Sequence, residues 1–209
     1  MPENKHSNNV DAKSSLMQRL VSRLLRMLGW NIHTFPDIPK AVVVAGPHTS
    51  NWDGVLGLAC GVVLRIDARF MIKHSLFKGP LGWLLRKLGG FPIDRSQPGG
   101  AVGQAVEQFN NNDHMAMVVT PEGTRKSASK WKTGFHRIAR QAGVPIVLAV
   151  ADYQKKQVAF PIILQPTDDL EADMKQLHAG FAEATPRRPE RLSKPVKVLW
   201  EAKRTNKKA

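Results

Sequence analysis

The chain has 209 residues, 42% of them apolar, and carries 31 Lys and Arg against 17 Asp and Glu, a formal net charge of +14. That length favours one domain around a single core, and the apolar content with dispersed prolines excludes a disordered or fibrous chain. A lone cysteine, Cys60, excludes a disulfide scaffold or zinc ribbon and points to a reducing compartment, while the charge leaves nucleic acid, an anionic membrane surface or an acidic small molecule as partner.

Residues 1–13 are polar and aperiodic and read as a flexible tail. Over 14–30, Leu16, Leu20, Leu24 and Leu28 recur every four residues, with Arg19, Arg23 and Arg26 off the stripe. This pattern predicts a basic amphipathic helix that Gly29 ends. The interleaved arginines exclude a signal peptide, and the longest apolar run, Val55 to Leu64, is half of the about 20 residues a spanning helix needs. After a connector over 31–40, strands are predicted at Ala41 to Ala45, Arg69 to Ile72, Met115 to Thr120, Val144 to Val150 and Gln157 to Leu164. Helical patterns lie between and after them, around Val102 to Phe109, Phe135 to Ala142 and Leu170 to Phe181, the last opened by Asp168 with Glu171 as a capping-box-like start. One last strand is predicted at Val196 to Trp200. Strands separated by helices imply an α/β fold: a single domain with a mostly parallel mixed sheet flanked by helices, preceded by the amphipathic helix.

Three loops carry residues able to do chemistry. Gly46-Pro47-His48-Thr49-Ser50-Asn51-Trp52-Asp53 follows a strand directly, where ligands of open α/β sheets collect. A carboxylate at Asp53 that accepts the Nδ1 proton of His48 leaves Nε2 free as a base; the competing reading makes His48 a loop histidine and Asp53 a helix cap. Thr120-Pro121-Glu122-Gly123-Thr124-Arg125 also follows a strand and combines a carboxylate, a glycine, a hydroxyl and a forked guanidinium, a set suited to phosphate. Its bland alternative is a surface turn in which Glu122 pairs with Arg125. The third loop, Gly89 to Arg95, sets another arginine near a glycine turn.

With these blocks in order, the chain resembles the glycerolipid acyltransferase superfamily, of the 1-acylglycerol-3-phosphate (lysophosphatidic acid) acyltransferase type. The family's H-x4-D block falls on His48 and Asp53, its D-R block on Gly90 to Arg95, its E-G-T-R block on Glu122 to Arg125 and its V-P-I block on Val144 to Ile146, across roughly half the chain. Lys73 to Trp83 is similar to a further family segment, whereas Thr120 stands where the family usually has Phe. The resemblance implies an acyltransferase domain over 31–209. It would move a fatty acyl group from a thioester donor, acyl-CoA or acyl carrier protein, to a hydroxyl of a lysophospholipid acceptor. His48 would be the general base, Asp53 its orienting carboxylate, and no acyl-enzyme would form, the chain having no G-x-S-x-G elbow. Glu122, Gly123, Thr124 and Arg125 with Lys73 and Arg95 would bind the acceptor's phosphate; backbone N–H groups of the Thr49 to Trp52 turn are candidates to stabilise an oxyanion, in a direction the sequence does not fix.

No cofactor is implied beyond the donor as co-substrate, and no metal, because the seven histidines are scattered without ligand spacing. The expected location is cytoplasmic, peripheral on the cytoplasmic face of the membrane, with an anionic membrane surface as partner. Nucleic acid is not expected: the basic C-terminal tail from about 201, with Lys203, Arg204, Lys207 and Lys208, and Trp131 between Lys130 and Lys132 are the suggestive features, with no recognition motif around them. A thioesterase or lipid hydrolase using the same dyad, and a carrier of small apolar ligands, are the other readings.

Overall fold

Seven strands are formed: β1 (Asn31–Ile32), β2 (Lys40–Gly46), β3 (Ala68–Lys73), β4 (Gly90–Ile93), β5 (Met115–Val119), β6 (Ile146–Asp152) and β7 (Gln157–Leu164). They build one sheet in the order β1-β7-β6-β2-β5-β3-β4, parallel throughout except for the β6–β7 hairpin. The structure, a computed structural model, describes residues 15–94, 96 and 99–206; the tail expected over 1–13 and Arg95 lie outside the described residues. Central β2 is Val-rich and buried on both sides, as a strand covered by helices on both faces requires.

Helices α1 (Leu16–Met27), α2 (Asn51–Leu64), α3 (Gly79–Lys87), α4 (Gly100–Asn110), α5 (Gly134–Ala142), α6 (Leu170–Phe181) and α7 (Lys194–Asn206) complete the fold. Phe109 of α4, Ile138 of α5, Leu177 and Phe181 of α6 and Val196 of α7 pack with Val42, Val44, Met117 and Leu148 as the main core on one face of the sheet. On the other face Leu25 of α1 meets Leu56 and Cys60 of α2. The β2–α2–β3 and β3–α3–β4 crossovers step in the same direction across the sheet, so their common right hand puts α2 and α3 on the same side. Because β6, β2, β5, β3 and β4 run parallel, the segments after Asp152, Gly46, Val119, Lys73 and Ile93 leave the same edge. That edge brings the three candidate loops together.

Two expectations are corrected. Val196 to Trp200 is helical, inside α7. Val196 is fully buried with Leu199 and Trp200 packed beside it, while Val198 is exposed. A strand would have put 196, 198 and 200 on one face; the observed burial has the helical period. The cap of α6 is Asp169, which accepts from the Ala172 N–H at 2.9 Å, whereas Asp168 pairs with Arg140. The choice between adjacent aspartates follows from where α6 must begin to bury Met174 and Leu177.

Helices α2 and α3 and strand β4 have no counterpart in the sequence pattern, nor does the two-residue strand β1, which lies inside the expected connector. In α2 apolar residues occur on every side, so no period stands out: Leu56 and Cys60 are buried, yet Trp52, Val55, Leu58 and Val62 stay exposed. In α1 the helix is as expected, capped by Ser15, whose side chain accepts from the Gln18 N–H. Its leucine stripe points outward, however: Leu25 and Val21 pack against α2, while Leu16, Leu20 and Leu24 are 53–69% exposed.

Candidate active site

The first turn of α2 organises the site. Ser50 is its N-cap and forms a capping box with Asp53. Asp53 Oδ2 accepts from the N–H groups of Thr49 and Ser50, both at 2.7 Å, and lies 3.7 Å from His48 Nδ1. That separation is within ion-pair range and longer than a hydrogen bond. Asp53 is therefore both the helix cap of the bland reading and the carboxylate facing His48. Its other oxygen, Oδ1, accepts from the Tyr153 hydroxyl at 2.6 Å. Tyr153 leaves β6 at the same edge, and its ring meets Trp30, just beyond α1, edge-on at 5.1 Å.

Glu122 faces inward from the loop after β5. It is 6% exposed, and its Oε1 accepts from the backbone N–H of His48 at 3.1 Å, bridging the two motif loops. Its Oε2 is buried without a hydrogen-bond partner. Burial first, and the Asp53 charge besides, push this carboxyl up to about 7, against the opposing pull of N–H donors from Glu122 itself and His48. The Glu122–Arg125 pair of the surface-turn reading is not formed: Arg125 instead donates to Asn51 Oδ1 on α2.

His48 is held below the ordinary imidazole range, chiefly by burial, with Asp53 opposing and the Arg125 cation reinforcing the shift. Lowering favours the neutral ring, the form that accepts a proton. Three of the four N–H groups in the Thr49 to Trp52 turn are engaged elsewhere: Thr49 and Ser50 donate to Asp53, and Trp52 to Ser50 Oγ at 3.3 Å, while the neighbouring His48 N–H donates to Glu122. The physical reason is the capping box, which takes the donors of the turn for the helix end.

The remaining predicted residues divide. Gly123 adopts φ +63°, a conformation that favours glycine, and a Cβ there would meet only the flexible end of the Lys132 side chain, at 2.9 Å. Thr124 Oγ1 accepts from the Lys126 N–H at 3.2 Å, within its own loop. Lys73 ends β3, one strand beyond β5 on the same edge, and is exposed. Arg95 lies outside the described residues. Sequence reasoning missed Tyr153, Asn51 and Arg187, whose guanidinium lies over the rings of Trp52 and Tyr153 at 5.4 and 5.8 Å. Asn51 and Trp52 were legible only as the unspecified positions of H-x4-D. Among the described residues no three His, Cys, Asp or Glu side chains cluster as metal ligands.

Trp131, the aromatic set between two lysines, is buried in the core, where its Nε1 donates to Ser193 Oγ at 2.9 Å. It offers no face on which a base could stack.

A parallel sheet with a His-Asp pair after its central strand, bridged to a second loop by a buried glutamate, is the framework into which the family blocks fall. Residues 29–150, more than half the chain, match the family model described as Acyltransferase, and the chain belongs to that family. Among individual relatives, it is 30% identical over 139 residues to the 1-acyl-sn-glycerol-3-phosphate acyltransferase of Streptococcus pneumoniae, covering 63% of this chain and 51% of that one. It is 29% identical over 126 residues to the enzyme of the same name from Bacillus subtilis, covering 58% and 61%. The chain thus spans between half and two thirds of the length of these curated relatives. The crystal structure of the 1-acyl-sn-glycerophosphate (LPA) acyltransferase PlsC from Thermotoga maritima shares the fold, with a TM-score of 0.54 at 20% identity over 79% of this chain and 75% of that one.

Proposed function

We propose that the protein transfers a fatty acyl group from a thioester, acyl-CoA or acyl carrier protein, to the hydroxyl of a lysophosphatidic-acid-type acceptor. The observation that carries the reading is the neutral-leaning His48 beside Asp53, at the edge where the Arg125 loop meets it. The acceptor oxygen attacks the thioester carbonyl while His48 Nε2 takes its proton. The new C–O bond forms, the C–S bond breaks, and His48 returns the proton to the departing thiolate. The 3.7 Å separation closes to a hydrogen bond as the ring becomes positive, because Asp53 then faces an imidazolium. The acceptor hydroxyl is itself the nucleophile: Ser50 Oγ caps α2, and burial pushes the Cys60 thiol up to about 12.

Arg125, with Lys73 and Arg95, would hold the acceptor's phosphate. Glu122 and Gly123 serve that site by setting the loop, and Thr124 by turning its hydroxyl to Lys126. Arg125→Lys keeps the charge and loses the fork. Its expected effect is a rise of about tenfold in acceptor KM with donor KM little changed. Steady-state ester formation from lysophosphatidic acid, with a phosphate-free monoacylglycerol as comparison, checks this. An effect confined to the donor would move Arg125 to the donor side, and thioester release equal with and without acceptor would favour hydrolysis.

The protein would work as a peripheral protein on an anionic leaflet. No helix among the described residues is long and apolar enough to cross a membrane. Leu16, Leu20 and Leu24 of α1, Val55, Leu58 and Val62 of α2 and Trp83 of α3 nevertheless expose apolar side chains. Exposed apolar surface of this kind marks an interaction site, and α1 adds arginines that an anionic surface attracts. In liposome flotation the full chain should bind anionic vesicles more than neutral ones and lose binding in high salt. Leu20→Gln with Leu24→Gln, at positions outside the core, should weaken binding without changing the folded circular dichroism spectrum. Undiminished flotation of the folded double variant would refute the anchor.

A further inference from the structure

The C-terminal end of α1 and the turn of the β6–β7 hairpin are fastened to each other. Lys156 Nζ donates to the Leu28 carbonyl at 3.0 Å, and the Asn31 N–H donates to the Lys156 carbonyl at 2.8 Å. Trp30, between those two points, is held by its own N–H, which donates to the Leu25 carbonyl at 2.8 Å. The hairpin turn is fixed as well. Asp152 Oδ1 accepts from the N–H groups of Gln154 and Lys155, both at 3.0 Å, and the Tyr153 N–H donates to the Thr185 carbonyl at 2.8 Å. Tyr153 carries this anchoring to the dyad. Its ring meets Trp30 at 90° with centroids 5.1 Å apart, an edge-to-face geometry that aromatic pairs prefer, and its hydroxyl donates to Asp53 Oδ1 at 2.6 Å.

The same helix also grips α2, which bears Asp53. Leu25 packs with Leu56 and Cys60, and Gln18 Nε2 donates to the Val63 carbonyl at 2.8 Å. The contacts close a circuit from α1 through α2 to Asp53, then through Tyr153 to Trp30 and back to α1. The end of α2 does not need the Tyr153 bond. Asp53 Oδ2 already accepts both N–H groups, of Thr49 and Ser50, so a third donor at Oδ1 adds nothing to the cap. What it fixes is the rotation of the carboxylate, and with it which oxygen stands 3.7 Å from His48 Nδ1. The Asp53 side chain is only 7% exposed, which leaves little water to replace that donor. Burial, and the Asp53 carboxylate besides, raise Tyr153 above its ordinary value, so its O–H stays the donor at neutral pH.

We infer that Trp30 is a positioning residue for the dyad: it fixes the Tyr153 ring, Tyr153 holds Asp53 by one hydrogen bond, and Asp53 so held faces His48. The inference rests on the proposed acyl transfer by that dyad. Trp30 acts only through Tyr153. Its loss should therefore reach kcat and leave both KM values alone, because the oriented carboxylate stabilises the ring as it gains a proton and takes no part in binding. A residue that merely joined α1 to a membrane would give the opposite pattern, lost vesicle binding with kcat in solution intact.

The test is steady-state ester formation from a water-soluble, short-chain lysophosphatidic acid without vesicles. The full chain is compared with Trp30→Leu, Trp30→Phe, Tyr153→Phe and the double variant Trp30→Leu with Tyr153→Phe. Leucine keeps an apolar side chain against the Leu25 cluster and loses the ring; phenylalanine keeps a ring beside Tyr153. Trp30→Leu should lower kcat about fivefold with both KM values unchanged, and Trp30→Phe should stay within about twofold of the wild type. Added to Tyr153→Phe, Trp30→Leu should lower kcat by less than about twofold more, because the hydroxyl through which it acts is already gone. Losses that multiply independently would overturn the inference. So would a wild-type kcat for Trp30→Leu, or a change confined to KM or to flotation on anionic vesicles. If neither Trp30→Leu nor Trp30→Met folds, judged by circular dichroism, Trp30 is a core residue and the assignment falls. If the wild type makes no ester from this acceptor or from a long-chain one on vesicles, the acyl-transfer reading has failed. The positioning is then judged by the NMR signal of the His48 ring, identified by its loss in His48→Ala: Trp30→Leu must move it and Trp30→Phe must not, and an unmoved signal overturns the inference.

Discussion

Replacing His48 with alanine should lower turnover about 100-fold or more while the thermal midpoint stays close to that of the wild type. The side chain lies in a loop at the sheet edge and is absent from the buried core, so its loss removes a proton acceptor and little packing. Near-normal ester formation by the alanine variant would remove the dyad from the mechanism. The wild-type profile carries the same information. Because burial and Arg125 hold His48 below its ordinary value, kcat/KM should fall on acidification only below the usual imidazole range, as the ring gains its proton. Tyr153→Phe keeps the ring against Trp30 and removes only the hydrogen bond to Asp53. Its expected effect is a loss of about tenfold in kcat with both KM values unchanged, the size of one hydrogen bond's contribution. A change in KM instead would place Tyr153 in substrate binding.

Glu122→Gln should make the protein more stable than the wild type above neutral pH and change little near pH 5. The folded carboxyl titrates at about 7, against an ordinary value of 4.5. Between those values the folded state keeps a proton that the unfolded chain has lost, so raising the pH favours unfolding. The stabilisation is complete below about pH 4.5 and is lost as the pH passes through about 7, to an extent of about 3 kcal/mol. Glutamine keeps an acceptor for the His48 N–H and has no proton to lose. Urea denaturation of both proteins at pH 5 and pH 8 measures the difference. Parallel losses in the two proteins would show that Glu122 is not the titrating group. The same variant should stay folded and active enough to assay, since the bridge between the loops survives.

The site was legible in the sequence wherever its residues are neighbours along the chain. His48 and Asp53 lie on one turn after a Val-rich strand, and Glu122 to Arg125 on another, so spacing after a strand end was enough to bring out both. Their partners come from far along the chain. Tyr153 reaches Asp53 across 100 positions, and Arg187 reaches Trp52 only because the segment before α7 folds back to the α2 cap. No local pattern marks either one. The orientation of Glu122 was hidden for a related reason: a glutamate in a glycine turn looks like a surface residue until the adjoining loop covers it and supplies the His48 N–H.

Composition and period alone determined the α/β class, the largely parallel sheet and the basic amphipathic helix α1, because each depends on side chains at short, regular spacing. The tertiary structure decided what spacing cannot encode. It made Val196 to Trp200 a helix, because burial of Val196, Leu199 and Trp200 on one side against the core outweighs their β-branched and aromatic preference for a strand. It took the N–H donors of the His48 turn for a capping box, because a helix had to start there. It also joined two segments some sixty residues apart in the chain, around Ser127 and Ser193: backbone and side-chain hydrogen bonds at Ser127, Ala128 and Ser193 tie them together, and those pairings exist only once the core beneath Trp131 has formed.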